Sequence, residues 1–243
     1  MLHNDKVEGY LMLALVRIHV PSSIHDSKHH ERIRVNPDHI WDYVMKHHES
    51  WDNDGPKIFY MTQRYMQDDT SLIMEAKDLD SIADFLLKHF AANKYVRGIW
   101  VLNLAKMTFF EIPPDHLEGL DRFTVTIDAT PQHLEKIFDS ISSFGSSNEL
   151  MINYITYTFQ SFNSSIMLSM LARNKNHMES FVNEYIKPLE GVLSTDITYI
   201  HRTIRLVSSD EWKKSFGHMY RLHGGERIKD IDADEDTSRF SCC

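Results

Sequence analysis

An internal repeat is the feature that most constrains how this chain folds. Residues 69–101 read DTSLIMEAKDLDSIADFLLKHFAANKYVRGIWV, and residues 165–193 read SIMLSMLARNKNHMESFVNEYIKPLEGVL. Ala76 matches Ala172 at a separation of 96 positions. Each copy contains an apolar strand pattern, apolar residues at helical spacing, a glycine before a hydrophobic residue, and a further strand pattern. A repeat of this length predicts two structurally equivalent units.

The pattern outside the repeat extends each unit to the order βαββαβ. In the first half we expect strands at 10–20, 57–66, 70–76 and 99–112, a helix at 37–50, and a second helix that Asp78 caps and that includes Leu86. In the second half we expect strands at 123–127, 150–159, 165–171 and 193–207, and helices at 131–144 and 174–186. This order is typical of a ferredoxin-like domain, an antiparallel sheet with two helices on one face.

The chain is therefore predicted to be an α+β protein of two tandem ferredoxin-like domains. Residues 1–113 form the first repeat and residues 120–207 the second, joined by a short proline-bearing linker. Ser208 can cap a C-terminal helix over residues 208–222. Residues 223–243 are acidic with few apolar side chains, so we expect them to be disordered.

Composition argues against several classes of partner. The 243 residues include 26 basic and 35 acidic side chains, a formal net charge of -9, which does not favour DNA backbones or anionic membranes. The apolar run near the N-terminus is too short to span a bilayer. Both cysteines, Cys242 and Cys243, are the last two residues, where a disulfide constrains nothing. We expect a cytoplasmic protein without direct DNA or membrane binding.

Several residues resemble the effector-sensing domain of Lrp/AsnC-type regulators. That family shows an aspartate at a hairpin turn, a charged residue and Asp at a helix start, and a Gly-hydrophobic step before a Thr-rich strand. The matching residues in this chain are Asp69, Lys77-Asp78 and Gly98-Ile99 in the first half, and Asn174, Glu190-Gly191-Val192 and Ser194-Thr195-Asp196-Ile197-Thr198 in the second.

The resemblance implies a dimeric α/β-barrel superfamily member whose halves pack as an intramolecular version of the family homodimer. It also implies a sensor that binds a small effector, such as an amino acid, between repeats or subunits, and that self-associates. The turn glycine of the family is missing between Thr62 and Asp69. The first strand begins near Tyr10, which leaves no room for the family's N-terminal helix-turn-helix. Any role in transcription would be indirect.

Six residues are candidates for ligand binding, although each also has a structural interpretation. They are Asp69, Tyr157, Thr195, Asp196, Thr198 and His201. Carboxylates at turns complete caps, threonines pair across strands, and a lone strand tyrosine or histidine is usually packed. The sequence shows no nucleophile with a base and no phosphate loop, so it predicts no catalytic residue and no cofactor. For His25, His29 and His30, a solvated loop is favoured over a metal site.

Two other functions compete with a non-enzymatic regulator. One is an enzyme of the dimeric α/β-barrel class, either a cofactor-free monooxygenase or a haem protein. Its cavity residues would be His201, Tyr157 or Asn153, with Trp100 and Asn103 as further candidates. The other is an assembly module whose tail, residues 224–243, recruits a protein partner.

Overall fold

Eight strands form one antiparallel sheet, and five helices complete an α+β fold in the part of the chain that the structure describes. The computed structural model describes residues 11–26, 31–36, 38–51, 55–64, 69–110, 119–144, 150–159 and 164–221. Its strands are β1 (Met12–His19), β2 (Ser23–Asp26), β3 (Glu31–Arg34), β4 (Lys57–Arg64), β5 (Asp69–Ala76), β6 (Gly98–Phe110), β7 (Asp121–Ala129), β8 (Leu150–Phe159), β9 (Ser164–Ala172), β10 (Val192–Arg205) and β11 (Tyr220–Arg221). Its helices are α1 (His39–His47), α2 (Leu79–Leu86), α3 (Leu134–Ser142), α4 (Lys175–Phe181) and α5 (Ser209–Phe216).

The large sheet closes into a barrel. Its strand order is β1-β5-β4-β10-β7-β9-β8-β6, and β6 returns to pair with β1 from Ala14–Asn103 to His19–Gly98. β2 and β3 form a separate two-stranded ribbon, and the short β11 adds in parallel to β6. Closure leaves these eight strands without a free edge, and it creates an interior that solvent reaches from the ends only.

The two halves of the chain complete each other's sheet. Apart from the ribbon of β2 and β3, each half runs in the order strand, helix, strand, strand, helix, strand. The last strand of the first half, β6, pairs with β8 of the second, and β10 of the second half pairs with β4 of the first. The predicted α+β class and antiparallel sheet are therefore confirmed.

Strand alternation separates the side chains of the barrel into two sets. On β1, Ala14, Val16 and Ile18 face outward into a core covered by α1 and α2, while Leu13 and Leu15 face inward. α3 and α4 cover the other half of the sheet with fully buried residues, among them Phe138, Met178 and Ile186. Because an apolar core lies outside the sheet in both halves, the interior of the barrel is free to hold polar groups.

Helix α5 closes one end of the barrel with aromatic side chains. Ser208 and Glu211 form a capping box at its start. Phe216 lies 4.5 Å from Phe59, and Trp212 lies 5.1 Å from Phe109, measured between ring centroids. We call this the α5 end. The opposite end, where β1 and β4 finish and β5 and β6 begin, we call the polar end.

Some sequence interpretations need correction and others fall outside the described residues. The His-rich segment was expected to be a loop, yet its flanks pair as β2 and β3. His29, His30, the linker residues 113–118 and the tail 223–243 lie outside the described residues. Among the described helices, none combines the length and the apolar character that crossing a bilayer requires.

We predict that Gly191 is a residue on which the fold depends. Its φ is 90°, and a Cβ there would lie 2.4 Å from Cβ of His133. Gly119 has a φ of 75°, and apart from its two chain neighbours no atom of the described residues lies within 4 Å of such a Cβ. Gly119→Ala should therefore lower the free energy of unfolding only by the cost of a left-handed backbone, about 1–2 kcal/mol. Gly191→Ala should lower it by clearly more, because its Cβ also meets His133. Urea unfolding measures both variants. Equal losses would contradict the steric argument.

Candidate functional site

The polar end of the barrel holds the charged cluster that we identify as the candidate site. A cavity of about 20 Å³ lies inside the barrel, lined by residues that include Arg17, Arg64, Ser71 and Thr124. A volume of this order accommodates about one water molecule. This cavity therefore holds only a small group, and a larger ligand bound to it has to extend into the mouth.

Two arginines reach the interior because of their positions on β1 and β4. Arg17 follows Leu13 and Leu15 on the inward face of β1 and pairs across the strands with Ser71. Arg64 is the last residue of β4, one position beyond the pair Gln63–Thr70. Arg64 therefore lies beside the first residue of β5, Asp69, and both arginines line the same cavity.

Arg17 is a partly buried cation with weak hydrogen bonding. Its Nε is buried without a hydrogen-bond partner among the described residues, and its Nη2 donates only to Sδ of Met167 at 3.6 Å. Burial, and next the positive charge of Arg64, lower the pKa of Arg17 to about 10, although Asp69 and Asp196 act in the opposite direction. Burial also lowers the pKa of Arg64. An anion held between these groups would supply the missing acceptor.

His19 and Asp69 form a hydrogen-bonded pair beside the arginines. They are directly opposite on β1 and β5, and Nδ1 of His19 lies 2.9 Å from Oδ1 of Asp69. Their side chains are 34% and 21% exposed, so both reach the mouth. Within the described part of the chain, Nε2 of His19 makes no hydrogen bond. A histidine oriented in this way by a carboxylate is equipped for proton transfer.

Trp100 forms one wall of the mouth. It is the cross-strand partner of Arg17 on β6, and its ring meets His19 edge-on at a centroid distance of 6.0 Å. The six-membered part of the indole lies over Gly98, where a Cβ would approach Cη2 of Trp100 to 2.6 Å. Glycine is thus required for this ring position, which leaves Trp100 51% exposed.

Further hydrogen-bond donors lie between the arginines and the α5 end. Arg122 donates to the hydroxyl of Tyr60 at 3.1 Å. Tyr154 is buried, and its pKa is raised by burial and then by Tyr60. Its hydroxyl therefore stays protonated and can donate a hydrogen bond.

Two carboxylates of the second half are held by hydroxyl groups. Asp128 accepts hydrogen bonds from the hydroxyls of Ser165 at 3.0 Å and Ser194 at 2.7 Å. Asp196 accepts one from the hydroxyl of Thr198 at 3.0 Å. Asp196, like Asp69, acts electrostatically on both arginines, so carboxylates from both halves of the chain lie near them.

Of the six residues proposed from the sequence, three lie at this mouth and three do not. Asp69, Asp196 and Thr198 are brought together near the arginines. Thr195 instead pairs with Ile127 on the helix-facing side of the sheet. His201 is exposed at a register shift of β10.

Tyr157 also lies elsewhere. Its hydroxyl donates to Glu135 at 3.2 Å, and its ring packs on Phe138 of α3. Asn153 was expected to share a face with Tyr157, but it occupies a bulge of β8 and donates to Ser169 at 3.4 Å. The expectation failed because the bulge shifts the alternation by one residue.

Sequence reasoning missed Arg17, Arg64 and His19. The available signal was an arginine and a histidine on the same face of a strand as Leu13 and Leu15. That signal becomes informative only when the opposite face is known to contact helices, because an arginine in an alternating strand otherwise indicates a solvated face.

The residues that were named for haem do not fit it. His201 is exposed, and Tyr157 and Asn153 are engaged with Glu135 and Ser169. Both spaces between helices and sheet are filled by buried apolar side chains. Within the described residues, no group of three or more His, Cys, Asp and Glu side chains is placed to hold a metal ion.

Comparison with known proteins gives weak likenesses in structure alone. No protein-family model matches the chain, and no curated protein matches it in sequence. A candidate monooxygenase from Lactobacillus acidophilus NCFM is 12% identical, with a TM-score of 0.46 over 81% of this chain and 99% of that chain. An anthrone oxidase-like protein is 10% identical, with a TM-score of 0.46 over 80% of this chain and 93% of that chain. A variant of chlorite dismutase from Candidatus Nitrospira defluvii is 10% identical, with a TM-score of 0.44 over 80% of this chain and 92% of that chain.

The predicted Lrp/AsnC regulator is wrong, and with it the role in transcription. The similar structures are monooxygenase-like and chlorite dismutase proteins, and they are not Lrp/AsnC regulators. The residues that carried the resemblance have local structural roles. Asp78 caps α2, Asn174 caps α4, and Gly191 supplies a positive φ. Such residues suit any unit of this strand and helix order, so they do not specify one family. The likenesses themselves have TM-scores below 0.5 and support no function.

We predict that Arg17→Met stabilises the fold. The substitution removes a buried, weakly bonded cation next to Arg64, and we expect the free energy of unfolding to rise by about 1–2 kcal/mol. Arg202 is the matched control, because it pairs with Asp38 at 2.6 Å and lies 4.1 Å from the Trp41 ring centroid. Arg202→Met should lower stability by a similar amount. Urea unfolding measures both, and a destabilised Arg17→Met variant would count against a functional origin of the cluster.

The stabilisation should depend on pH. Because the pKa of Arg17 is lowered in the folded protein to about 10, the folded state disfavours the charged form, and this cost is complete below that pH. As pH rises above 10, the folded protein begins to release the proton, so the cost falls steadily and vanishes only above the ordinary pKa of arginine. The stability difference between Arg17→Met and wild type should therefore shrink between pH 8 and pH 10.5. If the stability difference stays constant or grows over this pH range, the charge of Arg17 is not the cause of the destabilisation.

Proposed function

We propose that this chain is an enzyme that binds a small organic acid at the polar end of the barrel, between Arg17 and Arg64. The observation that carries the proposal is the buried guanidinium of Arg17, whose Nε has no hydrogen-bond partner in the described residues. Both arginines line one cavity with the hydroxyl-bearing residues Thr62, Ser71 and Thr124. A carboxylate there accepts hydrogen bonds from these groups and offsets the repulsion between the two cations.

The dimensions of the site limit the size of the ligand. The cavity of about 20 Å³ admits only the anionic head, in the place of about one water molecule. The carbon skeleton then stays at the mouth, where His19 and Trp100 are partly exposed. A long apolar ligand or a macrocycle is too large for this cavity.

An enzyme is favoured over a passive binding protein because a base is adjacent to the anion site. Asp69 orients His19, and Nε2 of His19 makes no hydrogen bond to the described residues. Of the two enzyme types considered from the sequence, the cofactor-free one agrees with this chemistry, since cofactor-free oxygenation also begins when a base removes a substrate proton. The base is His19 rather than the residues first considered for that role.

We also propose that the halves are tandem ferredoxin-like domains, residues 1–113 and 120–207. The shared element order and the reciprocal pairing of β6 with β8 and of β10 with β4 support this. Self-association, a protein partner and a cytoplasmic location stay predictions.

Thermal denaturation with and without organic anions tests the proposed function. Sodium formate, acetate and pyruvate should raise the Tm of wild type above that in sodium chloride of equal ionic strength. An anion at 100 times its Kd adds about 2.7 kcal/mol of stability. Arg17→Met and Arg64→Met should lose this response, and the control Arg202→Met should keep it. A wild type that responds to no carboxylate, or an Arg17→Met variant that responds fully, would refute the anion site.

A further inference from the structure

We propose that His19 is the general base of this site and that it removes a proton from the carbon next to the carbonyl of a 2-oxo acid. The inference rests on the proposed function, because it takes the carboxylate of the substrate to be held by Arg17 and Arg64. It adds the reacting atom, the reaction class and the substrate class.

The spacing of β1 places the base near a particular part of the ligand. His19 and Arg17 are two residues apart on the same inward face, so their Cα atoms are about 6.6 Å apart. A carboxylate on the guanidinium of Arg17 therefore leaves its second and third carbons beside the imidazole. In a 2-oxo acid the second carbon is a carbonyl, and the third carries hydrogens that the carbonyl makes acidic.

Asp69 prepares the imidazole for this role. The 2.9 Å contact from Nδ1 of His19 to Asp69 is best explained by a proton on Nδ1, which leaves the lone pair on Nε2. Asp69 then stabilises the imidazolium that forms when Nε2 accepts a proton. Asp69 is a positioning residue, because it acts through His19.

The proton transfer is balanced and needs no other reactant. The bond between the third carbon and its hydrogen breaks, and a bond between that hydrogen and Nε2 forms. The electron pair moves to the carbonyl oxygen and gives an enolate. Arg17 and Arg64 stabilise this second negative charge, which is absent from the ground state. Return of the proton from His19 to the carbon or to the oxygen completes an exchange or a tautomerisation.

Trp100 fixes the edge of the mouth at which this occurs. Its ring is held over Gly98 and against His19, and it is directly opposite Arg17 on β6. The indole therefore shields one side of the reacting carbon from water, which strengthens the charge interactions inside.

Deuterium exchange measured by proton NMR tests the inference. Wild type in D2O, without oxygen, should exchange the C3 hydrogens of pyruvate, 2-oxobutyrate or 2-oxoglutarate faster than buffer does. His19→Gln should lower this rate by about 100-fold or more. His201→Gln is the control, because His201 is an exposed histidine on another part of the barrel, and this variant should exchange at the wild-type rate. Asp69→Asn should also be slower, and Asp69→Glu should restore part of the rate.

The outcomes separate this inference from the proposed function. If pyruvate raises the Tm but none of the three acids is exchanged, the site binds anions and His19 is not a base for them. If His19→Gln exchanges as fast as wild type, the inference is also refuted. Retention of the pyruvate-dependent Tm shift in His19→Gln shows that the variant folds and binds, so a lost exchange rate then reports on proton transfer.

Discussion

The pairing of β6 with β1 on one side and with β8 on the other is the constraint on which the rest of the structure depends. It closes the sheet, and closure turns one face of every strand into an interior. The burial of Arg17 and Arg64 is a consequence, since in an open sheet these side chains would be solvated. The properties of the candidate site therefore follow from the backbone pairing of β1 with β6, the strands that carry Arg17, His19 and Trp100.

Different regions of the barrel raise and lower its free energy of unfolding. The outward faces pack against helices in two apolar cores, and the α5 end adds an aromatic cluster around Phe59 and Phe216. These regions supply hydrophobic stabilisation. At the polar end, the repulsion between two partly desolvated cations offsets part of this stabilisation. The apolar cores can therefore keep the fold stable although the charges at the polar end destabilise it.

The sequence predicted the strand and helix order well, because alternation and caps such as Asp78 and Asn174 are local signals. It named Asp69, Asp196 and Thr198, which lie near the arginines, only as separate candidates, and it did not name the arginines. It misplaced Tyr157 and Asn153, because a bulge cannot be seen in an alternating pattern. His19 and Arg17 could not be recognised from the sequence, because they face a barrel interior only when β1 pairs with β6. The paired residues of these strands are about 80 positions apart in the chain.

The two halves of the chain carry different charged residues on the strands of one barrel. Arg17 and Arg64 belong to the first half, whereas Asp128 and Asp196 belong to the second and accept hydrogen bonds from hydroxyl groups. Two identical subunits could not produce this difference, since each would repeat the other's charges around the axis. A single chain can, and its barrel therefore has one pair of these arginines where a barrel of two identical subunits would have two.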